Sequence, residues 1–538
     1  ELIHDFKELK NLPEAIEYLI ASDRQLGAVV RAESSVSNNP DLVDSRFELT
    51  EKATSDKYRG LVVEGVTSKA NNPVDGRILT AQDWDAEGVV IDLRDENSDA
   101  VRALAELGHG IKVGFAYSAG GLSSRGGGIF TARFKFPDDS ALAGHGFTDI
   151  KVAAARQAQA PVLIMTSFIR MDAVAEALNL NLEALRRQIV EQGYAYYVIN
   201  NDQPVYIFAQ GLQVRIVPQD DALEAYYTQA VAKKADDVEY AAALRRGIDA
   251  EKGHAGEMVT KEDGSVIVNP PGHFDFIRYL GISGVLLEAK NQGIRYIFHS
   301  NINNPAAHVA EFIVGAFENE VLKARAEGRA EPVSMFLLGE NRGEKGGLLA
   351  KVMYNDGREV VQLVEGCALT SEAAKLIDAA AKEKRLAEFF PYFNTATFLL
   401  NVDALIALFN LEEGLSIEER IARVDALTAM LPVYMDLKEE KDGDRILVGV
   451  QLERIYGDIT SVAPWVPAIV DRDRHFVPVK EAKDIQDSVK MELLARLLHQ
   501  AGVIADTRAT NEDATSGSMK LYGFNPLGLG MILATVWD

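Results

Sequence analysis

A glycine-rich segment, 118–128, is the first part of this chain whose residue types could do chemistry. It reads Ser-Ala-Gly-Gly-Leu-Ser-Ser-Arg-Gly-Gly-Gly and follows an apolar run, 111–117, that is typical of a strand. Successive backbone N–H groups in such a loop can surround an anion, and glycine lets a flat base approach the backbone closely. The segment lacks the Gly-Lys-Ser/Thr ending of a P-loop. A flexible connection is the alternative interpretation.

Three further segments place polar groups beside constrained backbone. In 269–275, two prolines and Gly272 precede His273, a titratable donor. In 294–304, an apolar strand pattern ends in several asparagines, which is where an open α/β sheet carries its ligand groups. In 476–480, Lys480 follows a strand bent by proline. Each segment alone is also consistent with a structural turn or a solvated lysine.

The elements that must position these groups alternate between strand and helix patterns. Strand patterns occupy 111–117, 161–167, 196–199, 205–209 and 294–300, and helix patterns occupy 149–159, 171–178 and 284–292. This alternation predicts an α/β fold with a mostly parallel sheet covered on both faces, whose ligands bind where strands end. A polar stretch, 220–264, indicates a helical insertion outside the sheet.

Further elements are predicted outside this alternating pattern. The dipeptide Asp356-Gly357 between 348–354 and 359–364 favours a β-hairpin. Further patterns predict a strand at 88–93 and helices at 99–107, 374–390, 416–430 and 491–500. The divisions that follow are an accessory region, 1–105, with a helical start and short strands, a catalytic domain, 106–480, and a short carboxyl-terminal region, 481–538.

Composition excludes several classes of protein. The chain has 538 residues, is 47% hydrophobic and 25% charged, and carries a net charge of −24. Such a composition is typical of a folded globular protein, and its acidity disfavours nucleic acid as a partner. The single cysteine, Cys367, excludes an intramolecular disulfide and suits a reducing compartment. No apolar run reaches the length of a membrane span, so we expect a cytoplasmic protein without a membrane partner.

Taken in order, the motifs resemble those of the UDP-sugar pyrophosphorylase family, in particular UTP–glucose-1-phosphate uridylyltransferases. The segments that carry this resemblance are Gly120-Gly121-Leu122, Thr166-Ser167-Phe168, Phe208-Ala209-Gln210 with Arg215, 270–275, 301–307, Lys345-Gly346-Gly347, Phe393-Asn394-Thr395-Ala396, Leu452-Glu453 with Gly457, and 476–480. They extend from about 111 to 480 in one order, which is more specific than any single motif.

The resemblance implies a GT-A-like, Rossmann-type domain that joins UTP to a sugar 1-phosphate, such as glucose 1-phosphate, and releases pyrophosphate with Mg²⁺. By resemblance, the nucleotide would contact Gly120, Gly121, Gln210, Gly272 and Asn303. The sugar would contact Gly347, Glu365, Asn394 and Thr395. The catalytic groups would be Lys480, His273 and Arg125, with Arg133 and Lys135 as other available cations.

Two departures from the family pattern affect the charged part of the site. The family's metal-binding Asp falls on Asn303, and an amide is a poorer Mg²⁺ ligand than a carboxylate. The Pro-Lys that follows the glycine loop in the family is absent. These departures leave a second hypothesis open, a non-catalytic relative that binds a nucleotide sugar. A third hypothesis, a GT-A glycosyltransferase, depends on Asp471-Arg472-Asp473, which mimics an Asp-x-Asp metal motif.

Overall fold

The structure is a computed structural model, and the fold is described for part of the chain. The described residues are 29–30, 76–121, 132–167, 170–191, 195–200, 202–234, 236–264, 267–344, 346–365 and 371–504. Within these ranges, no helix combines the length and the apolar character that crossing a bilayer requires.

The strands are short and mostly apolar. They are β1 (Val29–Val30), β2 (Gly76–Leu79), β3 (Ile91–Asp92), β4 (Val113–Ser118), β5 (Val162–Ser167), β6 (Tyr196–Asn200), β7 (Gln203–Gln210), β8 (Leu212–Val214), β9 (Val268–Asn269), β10 (Tyr296–Asn301), β11 (Ser334–Glu340), β12 (Leu348–Tyr354), β13 (Glu359–Val364), β14 (Tyr392–Asn401), β15 (Tyr434–Asp442), β16 (Arg445–Glu453) and β17 (Trp465–Ile469).

The helices lie between them in the chain. They are α1 (Asp99–Gly108), α2 (Phe147–Gln157), α3 (Met171–Ala177), α4 (Leu182–Arg186), α5 (Asp220–Lys233), α6 (Val238–Glu251), α7 (Asp275–Ile282), α8 (Val285–Asn291), α9 (Glu311–Ala326), α10 (Ser371–Lys382), α11 (Leu386–Phe389), α12 (Val402–Leu408), α13 (Ile417–Thr428), α14 (Arg472–His475), α15 (Ala482–Gln486) and α16 (Ser488–Gln500). A π-helical turn, Arg187–Glu191, follows α4, and 3-10 turns occupy Glu87–Val89 and Tyr456–Ser461.

One mixed, mostly parallel sheet of 12 strands organises the molecule. Its main path runs β3-β17-β11-β14-β10-β4-β5-β7-β6. Strand β14 is antiparallel to both of its neighbours on this path, and β6 is antiparallel to β7. The central strands β4, β5 and β10 are buried almost throughout, because helices cover both faces of a sheet of this kind. The predicted fold class, an α/β protein with a mostly parallel sheet flanked by helices, is confirmed.

Two smaller units extend from this sheet. Strands β12 and β13 form the predicted hairpin, which joins the sheet through β14 and also pairs with β2. The second unit is a two-stranded sheet of β15 and β16, against which α5 and α6 pack around Leu244 and Ile248. The stretch 220–264 thus contains two helices that lie outside the main sheet.

Three expectations about single elements are wrong, and one of them is the strand predicted before Lys480, because 476–480 has no regular secondary structure. The predicted helix 374–390 is broken, because Lys384 adopts a left-handed conformation (φ 58°) and Arg385 N–H closes the turn on Ala380 O. Four consecutive charged residues at this point (382–385) leave no apolar side chain to bury. The predicted strand 88–93 is reduced to β3, because it lies at the sheet's edge and only Ala468 and Ile469 pair with it.

Candidate functional site

The carboxyl ends of four parallel strands bring polar side chains to one edge of the sheet. Asn301 at the end of β10 is in register with Ser118 at the end of β4. Ser167 at the end of β5 is in register with Gln210 at the end of β7. The strands are mostly apolar before these positions, and β5 and β10 become polar slightly earlier, at Thr166 and His299. We call this edge of the sheet the carboxyl edge.

Gly120 and Gln210 pack tightly at one part of the carboxyl edge. A Cβ atom on Gly120 would lie 2.5 Å from Nε2 of Gln210 and 2.9 Å from the backbone carbon of Thr166. Ser167 Oγ donates to Gly120 O at 2.9 Å, which fixes the start of the glycine loop. Gln210 is 4% exposed, and its Oε1 has no hydrogen-bond partner among the described residues. A buried acceptor of this kind calls for a donor from a ligand or a water molecule.

The turn at Gly272 presents His273 to the same edge. Gly272 has φ 108°, and a Cβ there would collide with the backbone of Arg454, whose carbonyl accepts from Phe274 N–H. Solvent reaches His273, yet the ring lies deep enough among protein atoms that desolvation lowers its pKa to about 4. His273 is therefore neutral at pH 7 in the free protein and offers a hydrogen bond rather than the positive charge predicted from sequence.

Asn303 and Lys480 come together through backbone contacts. Val479 N–H donates to Asn303 O at 2.8 Å, so the 476–480 segment runs beside the loop that follows β10. Asn304 Oδ1 accepts from Val477 N–H at 3.0 Å, and its Nδ2 donates to His475 O at 3.0 Å. Lys480 is exposed, with Nζ 5.8 Å from the centre of the Phe476 ring.

Gly347, Glu365 and Asn394 form a third group. Gly347 has φ 67°, and a Cβ there would lie 3.0 Å from Asn394 Cβ and 3.4 Å from Glu365 Oε1. Its carbonyl accepts from Asn394 N–H at 2.7 Å. Desolvation raises the pKa of Glu365 to about 7, opposed by a hydrogen bond from the Gly347 backbone and assisted by repulsion from Glu453. Thr395, which is also buried, bonds to a neighbouring strand instead: its hydroxyl donates to Leu337 O at 2.6 Å.

Tyr456 joins these groups. Its ring centre lies 4.6 Å from that of His273, and its hydroxyl interacts with the side chain of Asn301. The charge of Glu365 further raises the pKa of this buried phenol. The predicted residues Gln210, His273, Asn303, Gly347 and Glu365 thus lie on elements that meet at the carboxyl edge or are linked to it through Tyr456.

Several sequence-predicted residues either lie outside the described residues or are held in ion pairs. Arg125 lies outside the described residues, as do Phe168 and Lys345. Arg133 forms ion pairs with Asp172 and Glu176, and Lys135 pairs with Asp149.

The carboxylates of the proposed Asp-x-Asp motif are engaged in the structure. Asp471 Oδ1 caps α14 by accepting from Asp473 N–H at 3.0 Å, and Asp473 pairs with both terminal nitrogens of Arg342 at 2.7 and 2.8 Å. This geometry explains the spacing by helix capping and ion pairing.

The residues around Asn303 do not supply a carboxylate set for Mg²⁺. In the described ranges, no group of three or more His, Cys, Asp or Glu residues could hold a metal ion. Asp275 is fully buried with both carboxylate oxygens unpartnered, but its electrostatic neighbours are Arg278, Arg454 and Asp425. Mg²⁺ prefers carboxylate and phosphate oxygens, so the donor set at Asn303 is a poor fit for this ion.

Lys151 and Tyr456 were missed by reasoning from sequence. Lys151 lies on the α2 face that also carries Phe147, Ala154 and Ala155, so its position on an apolar stripe was an available signal. Tyr456 stands between Glu453 and Gly457 of a recognised motif, but an aromatic residue there reads equally as core.

Comparison with known proteins agrees with the α/β fold described above, which neighbours with nucleotidyltransferase-type folds share. A family model described as UTP–glucose-1-phosphate uridylyltransferase matches residues 248–509, and the resemblance to the UDP-sugar pyrophosphorylase family is thereby confirmed. Among curated proteins, no match is found.

Two solved structures illustrate the shared fold. UDP-N-acetylglucosamine pyrophosphorylase from Trypanosoma brucei, in complex with an inhibitor, is 15% identical with a TM-score of 0.51, over 89% of this chain and 81% of that one. A single-residue mutant of UDP-glucose pyrophosphorylase from Leishmania major, in complex with UDP-glucose, is 16% identical with a TM-score of 0.50, over 84% and 78%.

Proposed function

We propose that this protein is a UTP–sugar-1-phosphate uridylyltransferase that forms a UDP-sugar and pyrophosphate. The observation that carries the proposal is the meeting of three chemically different groups at or beside one sheet edge. They are the amide of Gln210 next to Gly120, the Asn303–Lys480 pair of segments, and the carboxyl of Glu365 next to Gly347. These groups suit a base, a polyphosphate and a sugar, respectively. The matched family supports the same reaction.

The uracil end is the best defined chemically. Uracil carries an N3–H donor between two carbonyl acceptors, and a carboxamide offers one acceptor and two donors. The unpartnered Oε1 of Gln210 can accept from N3–H while Nε2 donates to a neighbouring carbonyl. Gly121, with no described atom within 4 Å of a Cβ built there, leaves the adjacent backbone open to a flat ring.

The reaction itself asks for alignment and charge. The sugar phosphate attacks the α-phosphorus in line, its oxygen forms the new P–O bond, and pyrophosphate leaves with the electrons of the broken bond. Lys480 would offset the charge on the phosphates, and His273 would donate a hydrogen bond to them. Glu365 and Asn394 would accept from and donate to sugar hydroxyls. Mg²⁺ would be expected to arrive with the triphosphate.

A second candidate, a non-catalytic nucleotide-sugar-binding relative, is favoured by one observation. Asn303 occupies the place where the family carries its metal-binding Asp, and its neighbour Asn304 is engaged by backbone on both sides of its amide. Such a protein would bind UTP or a UDP-sugar without releasing pyrophosphate.

One experiment separates the two functions. The full chain is incubated with UTP and each of several sugar 1-phosphates, including glucose and N-acetylglucosamine forms, with Mg²⁺ or Mn²⁺, and pyrophosphate release is followed. The proposal predicts release that depends on one of the sugars. Complete inactivity across the panel, together with gain of activity in Asn303→Asp, would establish the non-catalytic relative instead. Loss of existing activity in Asn303→Asp would exclude that alternative.

The same assay tests the glycosyltransferase hypothesis. Transfer of sugar from a UDP-sugar to an acceptor, without pyrophosphate release, would favour it. The engagement of Asp471 and Asp473 in a helix cap and an ion pair supports the uridylyltransferase over this reaction.

A further inference from the structure

A fully buried lysine lies beneath the loop that carries Asn303. Lys151 has 0% exposure on α2, and its ammonium donates to Ser300 Oγ at 2.8 Å, Asn304 O at 2.6 Å and Ala307 O at 3.3 Å. An ammonium has three N–H donors, so each has one acceptor. Two of the acceptors are backbone carbonyls of the loop, so the lysine fixes the position of the loop's main chain.

The three acceptors around Lys151 are all uncharged. Among the described residues, Lys151 forms no ion pair, although burying an ammonium is costly unless it is well hydrogen bonded. Burial lowers the pKa of both His299 and His308, and the nearby charge of Lys151 makes a smaller contribution in the same direction, so neither imidazole carries a charge. Burying a lysine among neutral partners lowers the stability of the fold. Its presence therefore indicates that the position of this loop is important.

Asn304 passes this constraint to the segment that ends in Lys480. Its backbone carbonyl accepts a hydrogen bond from Lys151, and its Oδ1 accepts one from Val477 N–H. Its Nδ2 donates to His475 O. The neighbouring carbonyl of Asn303 receives Val479 N–H. The loop after β10 and the 475–480 segment are therefore held together by three hydrogen bonds, with Lys151 behind them.

We infer that Lys151 and Asn304 act as a pair of positioning residues that set the Lys480 segment against the Asn303 loop, and so place the cation for the phosphates of a nucleotide. The inference rests on the proposed function for its ligand, since the phosphates are those of UTP. Neither residue touches the ligand. Breaking the pair should weaken recognition of phosphates and leave recognition of the base unchanged, because Gln210 lies on β7.

The test compares two ligands and three variants. Affinities of UTP and of uridine are measured by calorimetry for the full chain and for Lys151→Met, Asn304→Ala and Arg156→Met. Arg156 is an exposed cation on the same helix and serves as the matched control. The inference predicts that the Kd for UTP rises at least about tenfold in the first two variants, as for loss of a well-placed charged contact. The Kd for uridine stays within about twofold. The control should change neither.

A second readout does not depend on nucleotide binding. Hydrogen exchange, read by mass spectrometry on a peptide covering 476–480, reports the amides of Val477 and Val479. Their exchange should be slow in the parent protein and in Arg156→Met, and at least about tenfold faster in Asn304→Ala. If the parent protein binds no UTP, the proposed function fails while this readout still tests the pairing of the two segments.

The inference is overturned by an unchanged ratio of UTP to uridine affinity in a folded Asn304→Ala, or by equal weakening of both ligands. It is also overturned if the amides of Val477 and Val479 exchange at unprotected rates in the parent protein, a result that needs no variant to fold. Should Lys151→Met fail to give a cooperative thermal transition, Asn304→Ala decides, since it keeps the backbone carbonyl that accepts from the lysine.

Discussion

Gly120 lies so close to Gln210 that no methyl group fits between the backbone of the first and the side-chain amide of the second. A Cβ on Gly120 would be 2.5 Å from Gln210 Nε2, whereas no described atom lies within 4 Å of the corresponding position on Gly121. The two neighbouring glycines therefore have different reasons to lack a side chain. Gly120 makes room for the protein itself, and Gly121 leaves room for a ligand.

Replacing these glycines separately should divide stability from binding. Gly120→Ala should lower Tm by several degrees, because overpacking a buried site costs about 1–3 kcal/mol. Gly121→Ala should leave Tm within about 1 °C and weaken UTP binding, since its methyl group would enter the space for the base. Thermal melts and calorimetric titrations measure both. Equal loss of Tm in the two variants would contradict this assignment.

Gln210 should be needed for ligand binding but should not stabilise the free protein. Gln210→Leu removes the unpartnered buried Oε1, so we expect the Tm of the free protein to be unchanged or higher. The same substitution should raise the Kd for both uridine and UTP about tenfold or more, because the ligand loses its hydrogen bonds to a buried amide. Gln82→Leu, at an exposed glutamine, is the control. Unaltered uridine affinity in Gln210→Leu would remove the base site from this part of the edge.

The buried carboxyl of Glu251 should make stability depend on pH. Burial raises its pKa to about 8, opposed by hydrogen bonds from Val448 N–H and the charge of Arg445. Because the folded state binds the proton more tightly than the unfolded state, the free energy of unfolding should fall as pH rises from about 4.5 to about 8. Above that range the loss is complete.

Glu251→Gln should remove this dependence. We expect its Tm to exceed that of the parent by a few degrees at pH 9 and the difference to shrink towards pH 5, because the amide stays neutral. Glu239→Gln, at an exposed position on the same helix, should follow the parent at every pH. A difference that grows towards acidic pH would show the opposite sign.

A buried ion pair between α7 and α13 gives the clearest prediction for stability alone. Arg278 Nε and Nη2 donate to Asp425 at 2.7 and 2.9 Å, and the arginine side chain is 3% exposed. Arg278→Met should cost about 3–5 kcal/mol, because it leaves a carboxylate buried without its partner. The double variant Arg278→Met, Asp425→Leu should recover much of that loss. Denaturant melts test this, and no recovery in the double variant would contradict it.

Sequence patterns identified the parallel half of the fold because its strands are apolar runs that end in polar residues. The predicted ends of β4, β5 and β10 lie within one residue of the observed ends, and polar residues mark them. The antiparallel insertion of β14 between β11 and β10 left no such mark, since an apolar run carries no information about its direction.

The site residues differ in the same way in how well the sequence indicates them. Gly120, Gln210 and His273 could be named because each belongs to a local motif beside a strand or turn. Lys151 could not, because a lysine on a helix is ordinarily solvated and its acceptors, Asn304 and Ala307, lie about 150 residues away in the chain. The Asp471–Asp473 spacing pointed to a metal, yet a helix cap produces it as well.

A crystal structure of the full chain with a bound UDP-sugar would show whether the carboxyl edge holds base, phosphates and sugar together. We expect uracil over the backbone at Gly121 with N3–H donating to Gln210 Oε1, the diphosphate between His273 and Lys480, and the sugar beside Glu365 and Asn394. A UDP-sugar held away from the carboxyl edge, or no binding at millimolar ligand, would contradict this expectation.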